Sequence, residues 1–199
     1  MRTRQPGRTA TLLLLGVVLA GCGGSAGAGA PTLDGPGTSG CGADRPTPSP
    51  IETAGATMYG ESAVLGEALT ALAQSGEGRF RDVYAGVEVV PEHGYAVLYR
   101  RPSAELDAYA EQVAKGECIY LRDAAFSHAE LLELTQRIVA DMGYWKERGI
   151  AVHLVGPKHD GSGITVGVEE VEKAQAALPE RYGLRIPITV EPGGAPVPL

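Results

Sequence analysis

The chain has 199 residues, a formal charge of −7, 28 Gly, 14 Pro, 3 Cys and a single Trp. An acidic chain without clustered Lys and Arg is no nucleic-acid binder, because phosphate contacts need such clusters. Three cysteines are too few for a disulfide framework and too scattered for a zinc knuckle, and the length suggests one folded domain.

From the N-terminus, Arg2, Arg4 and Arg8 precede an apolar run from Thr11 to Ala20. That run is too short to span a bilayer, which takes about 20 residues, but it suits a signal peptide. It leads into Leu19-Ala20-Gly21-Cys22. This order resembles the lipobox of bacterial lipoproteins. The resemblance implies that residues 1–21 are a signal peptide and that Cys22 becomes a mature N-terminus carrying palmitate-type acyl chains. Two chains suffice for stable anchoring, so the expected location is the outer, extracytoplasmic face of the cell membrane. Losing the three arginines leaves 14 basic against 24 acidic residues.

Residues 22–52 read as the lipidated N-terminus and a flexible tether. Gly23 to Pro50 holds eight Gly and five Pro and little that is apolar. A coil of that length reaches roughly 30 Å. With Cys22 lipidated, Cys41 and Cys118 are the remaining thiols in an oxidising compartment, so a disulfide between them is expected.

The folded part is expected over 58–190. Val64, Leu65, Leu69 and Leu72 fall at helical spacing, and Gly76 and Gly78 end that helix. Residues 83–90 alternate as a strand, 91–94 turn, and 95–100 return, which is a hairpin. Ser103 caps a helix through Ala114, and 117–122 form a third strand. Residues 149–190 repeat the order: strand 149–155, turn, strand 163–168, helix 169–182, strand 184–190. The prediction is an α/β (α+β) fold of two β-β-α-β units, over about 83–122 and 149–190, with mainly antiparallel sheet. A long helix joins them, opened by a capping box at Ser127 and Glu130 and ended by Gly149. Residues 191–199 read as a flexible tail.

Strand alternation assigns faces. Val83, Ala85, Val87, Val89, Ala96, Leu98, Ile119 and Leu121 form the first core face. Tyr84, Tyr95, Tyr99, Cys118 and Tyr120 share the other. That tyrosine face reads either as a binding surface, since Tyr offers large amphipathic contact area, or as a second core under the long helix with Tyr144 and Trp145. In the second unit Ile150, Val152, Leu154, Ile164, Val166, Val168, Leu184, Ile186 and Ile188 are the core face. The opposite face, with His153, is polar and either solvated or an interface, so His153 joins Tyr84, Tyr95, Tyr99 and Tyr120 as candidate binding residues.

Catalytic signatures are lacking: no nucleophile elbow, phosphate loop, H-E-x-x-H, C-x-x-C or EF-hand occurs. The four histidines have no metal-binding spacing, so no metal, cofactor or catalytic residue is assigned. The weakest functional class is an enzyme using His153 with Asp160 or Arg185.

Gly149-Ile150, Gly156-Pro157, Gly163 to Val168 and Arg181-Tyr182-Gly183 resemble small, uncharacterised lipid-anchored or secreted proteins of actinobacteria. The repeated β-β-α-β unit, with Ser127 to Leu131 at a helix start, is also similar to pro-regions of streptogrisin-like and α-lytic-type serine proteases. With no catalytic signature, the leading expectation is a non-enzymatic binding or scaffold lipoprotein that meets another envelope protein or the polymer matrix through a sheet face or edge. The second resemblance implies an inhibitor or folding helper acting on a secreted protease, although no protease domain follows Val190.

Overall fold

Leu65, Ala68, Leu69 and Leu72 are buried on one helix, and Leu131, Leu134, Thr135 and Ile138 are buried at the same spacing on another. Each set is one apolar stripe that must cover a sheet. The computed structural model describes residues 33–42, 45 and 47–194. The signal peptide expected over 1–21, the lipidation expected at Cys22 and residues 195–199 of the expected tail lie outside the described residues.

Helix α1 (Ala63–Glu77) is capped by Ser62, whose side chain accepts from the Leu65 amide. Strands β3 (Tyr84–Val90), β4 (Tyr95–Arg100) and β5 (Ile119–Asp123) form the first sheet. Helix α2 (Ala104–Ala114), capped by Ser103, crosses between β4 and β5. Helices α3 (His128–Ala140) and α4 (Met142–Glu147) lead into the second sheet. That sheet is β6 (Val152–Pro157), β7 (Ile164–Val168) and β8 (Ile188–Pro192), with α5 (Val171–Tyr182) between β7 and β8. Strands β1 (Pro50–Thr53) and β2 (Ala56–Tyr59) pair as a separate hairpin. The protein is therefore mixed α and β, with five helices and three small sheets of mostly antiparallel pairing among the described residues.

The two halves share register as well as order. In each, the first strand pair is antiparallel and the second is parallel. Tyr84 opposite Arg100 matches Val152 opposite Val168, and Ala96 beside Ile119 matches Ile164 beside Ile188. The repeat unit also includes the preceding helix: α1 and α2 cover one face of the first sheet, and α3 and α5 cover one face of the second. The joining helix is thus the first helix of the second repeat. It is not continuous, because the chain turns at Asp141 between α3 and α4. The matched register also shows that His93 and His159, though both in hairpin turns, are not equivalent positions.

Each first strand carries a β-bulge at the same place, between Tyr84 and Gly86 and between Val152 and Leu154. The extra residue reverses side-chain parity. Tyr84 therefore joins the helix-side core, and Leu154, expected inside, is 52% exposed while Val155 packs inward. Leu184 is 83% exposed because β8 starts only at Ile188.

The segment read as a free tether is partly docked. Residues 33–41 lie against the first sheet, and Gly37 bridges Tyr120 antiparallel to β5. Cys41 and Cys118 are joined as a disulfide, with Cα atoms 4.4 Å apart. Ordered structure also begins before residue 58, in the β1–β2 hairpin. Its tight turn places Ala54 and Gly55 at φ of 48° and 81°, the positive-φ geometry that suits hairpin twist.

Candidate functional site

The five residues read as a binding face separate into distinct environments. Tyr84 is 6% exposed and packs with Leu69, Leu72 and Phe80. A Cβ on Gly76 of α1 would lie 2.3 Å from its ring, so that glycine lets the helix seat on the tyrosine. Tyr84 is a core residue.

Tyr95 and Tyr120 do lie on the outer face of the first sheet, edge to face with centroids 5.2 Å apart. They are buried together with Val97 and Cys118, against partly buried Leu33, Cys41, Val90 and Tyr99. The cover is the N-terminal segment. The long helix expected to cover them does not, because Trp145 belongs to the second core with Tyr144 against it.

The docked segment is held by specific backbone contacts. The Thr38 amide donates to Ile119 O at 3.0 Å, and the Leu121 amide donates to Pro36 O at 2.8 Å. The Thr38 hydroxyl donates to Glu117 O at 2.7 Å and accepts from the Ile119 amide at 3.0 Å. The Ser39 amide donates to Glu111 at 2.8 Å, and its hydroxyl donates to the same carboxylate. These Ser39 bonds, the hydroxyl's first, hold the Glu111 carboxyl below its ordinary range. Arg45 then lies over both rings, 5.4 Å from Tyr95 and 5.8 Å from Tyr120, a cation–π arrangement.

Tyr99 sits at the other end of this face, where the second repeat touches the first. Its hydroxyl donates to Glu88 at 2.7 Å, and its ring meets His159 edge-on at 5.6 Å. The His159 ring also approaches Glu88 at 3.6 Å. Burial, then the hydrogen bond and negative charge of Glu88, push the Tyr99 phenol up to about 12. The β6–β7 turn is seated on Gly86, where a Cβ would meet His159 O at 2.4 Å. The first sheet's outer face is thus covered by the chain's own N-terminal segment and by the second repeat's hairpin turn.

No protein-family model, curated protein or solved structure matches the chain.

His153 stands apart from the tyrosines, at the bulge of β6, with Nε2 3.0 Å from Glu169. Asp160 accepts from the Ser162 amide at 2.9 Å, a turn contact. Burial would raise its carboxyl, but the bonds from Ser162 outweigh it and the carboxyl is lowered. Arg185 donates to Glu130 at 3.0 Å. His153, Asp160 and Arg185 therefore each serve a separate contact.

Among the described residues no three His, Cys, Asp or Glu side chains gather as metal ligands, and no helix is long and apolar enough to cross a membrane. A cleft of about 720 Å³ lies between the end of α1 and the start of α3 and is lined by Glu77, Arg81, Asp82, His128, Glu130 and Glu133 among others. Its charges are mixed, and Glu130 is already committed. The Ser127 amide, then Arg185 and Arg101 working against burial, hold its carboxyl below the usual range.

Among the described residues the outer face of the second sheet has no such cover. Leu154 and Thr189 are exposed and Thr165 is half-buried. Among the described residues neither β6 nor β8 has a strand on its outer edge. Sequence reasoning missed Arg45, Thr38 and the Ser39–Glu111 contact because they lie in a Gly/Pro-rich stretch. Gly40 is a contact glycine, where a Cβ would lie 2.1 Å from Gly116 O, but in the sequence it reads like any linker glycine.

Proposed function

We propose that the protein is a lipid-anchored, extracytoplasmic domain that binds or scaffolds other envelope components without converting a substrate. The observation that carries this reading is the fate of the cysteines. Cys41 and Cys118 are paired, so of three cysteines only Cys22 lies outside that bond. It stands where charge, apolar run and small residues make a lipobox. Cys22 is the lipid attachment point, and the acyl chains hold the domain on the outer face of the membrane.

The binding surface moves with the geometry. The tyrosine face is occupied, so the partner, another envelope protein, meets the second sheet. Thr165, Thr189 and exposed Leu154 offer a mixed polar and apolar face there, and the outer edge of β8 offers unpaired backbone groups of the kind that accept an added strand. The alternative, an inhibitor or folding helper acting on a secreted protease, is favoured by one observation. The two β-β-α-β units match in register, as the pro-region resemblance requires.

Membrane fractionation tests the anchor. The wild-type chain is expected with the membrane, and Cys22→Ser is expected to be released or retained as uncleaved precursor. Recovery of both in one soluble fraction refutes the anchor. Co-purification of the wild-type chain with one active secreted protease, and inhibition of that protease by the purified domain, would favour the alternative.

A further inference from the structure

We infer that the Cys41–Cys118 bond sets how far the anchored domain can stand from its membrane, and that reducing this bond lengthens the reach. The inference rests on the lipid-anchor reading above. With the segment docked, the first described residue is Leu33, and it packs beside Tyr95 and Tyr120. Only eleven residue steps then separate it from Cys22. Whatever their conformation, they span at most about 40 Å. Once the segment is released, the next paired residue is Pro50, at the start of β1. The 28 steps from Cys22 to Pro50 can span about 100 Å.

The bond is the element that decides between these states. Among the described residues 33–42 only Thr38 is buried, and the segment makes one bridge to β5 and one three-residue helical turn. Its few hydrogen bonds must offset the entropy of ordering some ten residues. The covalent link makes that ordering nearly free by fixing Cys41 beside Cys118. Cys118 is 1% exposed and Cys41 is half-buried, so an incoming thiolate reaches Cys41 first.

The exchange balances with a dithiol reductant. Its thiolate attacks Cys41 Sγ, the bond to Cys118 Sγ breaks, and Cys118 leaves as a thiolate that takes up a proton. The second thiol of the reductant then attacks the mixed disulfide and releases Cys41, which is also protonated. The reductant ends as a disulfide, and its two protons and two electrons end on Cys41 and Cys118. The docked segment can then leave, and the outer face of the first sheet is uncovered at Tyr95, Val97 and Tyr120.

Neutron reflectometry of the full lipidated protein on a supported bilayer tests this by measuring the gap between bilayer and domain. Dithiothreitol is expected to widen the gap about 1.6-fold, following the square root of the freed chain length. Cys41→Ser combined with Cys118→Ser is expected to show the wide gap without reductant and no response to it. An unchanged gap in wild-type protein whose two thiols are shown by alkylation to be free overturns the inference alone. A chain that washes off the bilayer with Cys22 unmodified overturns the anchor reading and this inference with it.

Discussion

Arg100 is a charge placed almost wholly inside, with its side chain 6% exposed. It donates to Asp107 through Nε at 2.6 Å and through Nη2 at 3.1 Å, and to Asp123 through Nη1. The Asp107 bonds raise its pKa further, against burial. Asp107 is 31% exposed and Asp123 is 73% exposed. Asp107→Ala is therefore expected to cost about 2 kcal/mol, because it strands a buried guanidinium. Asp123→Ala is expected to cost under about 1 kcal/mol. Urea unfolding of the two variants checks the order, and equal losses would contradict it. Tyr99 gives a pH signature. Its folded phenol titrates near 12 against an ordinary 10.0. The stability it contributes is complete below pH 10 and is lost as pH rises towards 12. Glu88→Gln removes the hydrogen-bonded anion and is expected to move the Tyr99 titration to lower pH and to shrink this loss, read by spectroscopic titration of the tyrosines. Neither feature was legible in the sequence. Arg100 reads there as the end of a strand, and the Tyr99 shift depends on burial and on the Glu88 carboxylate that the fold brings to its hydroxyl.

At the scale of elements, most of the fold was legible. Strand β4 and helix α2 fall where alternation and the Ser103 cap predict them. The capping box at Ser127 forms with both reciprocal bonds. Ser127→Ala is accordingly expected to cost about 1 kcal/mol, measured by thermal or urea unfolding, and a neutral result would contradict the capping account. The bulges were not legible, because Ala85 and His153 are ordinary strand residues and nothing local marks an extra residue. That single omission misplaced Tyr84 and Leu154 together. The break after α3 was hidden for a related reason. The apolar stripe continues to Trp145, yet Asp141 is fixed by Arg181 at 2.8 Å and by the Tyr182 hydroxyl at 2.8 Å, contacts made by a helix forty residues later.

At the scale of the molecule, two equivalent three-stranded units are treated differently. Among the described residues, the first has its outer face covered and the second leaves its own open. The seam between them is narrow at Gly86, so Gly86→Val is expected to lift the β6–β7 turn and destabilise by about 1–3 kcal/mol. Increased amide exchange at Phe126, whose amide donates to Gly161 O at 3.1 Å, would locate the damage at the seam. The cover has its own pH limit. The Glu111 carboxyl is lowered from 4.5 by Ser39, so its contribution is present above pH 4.5 and is lost as pH falls through the lowered value. Composition concealed this cover, since glycines that permit close backbone approach look the same as glycines of a loose tether. The covered first sheet and the bonded Cys41 belong to the described residues; the anchored location is the proposal that rests on Cys22. The most direct test is the mass of the N-terminal peptide of the protein isolated from cells. The account predicts a peptide that begins at Cys22 and carries a diacylglyceryl group. A peptide that retains residues before Cys22, or one with an unmodified Cys22, would contradict it.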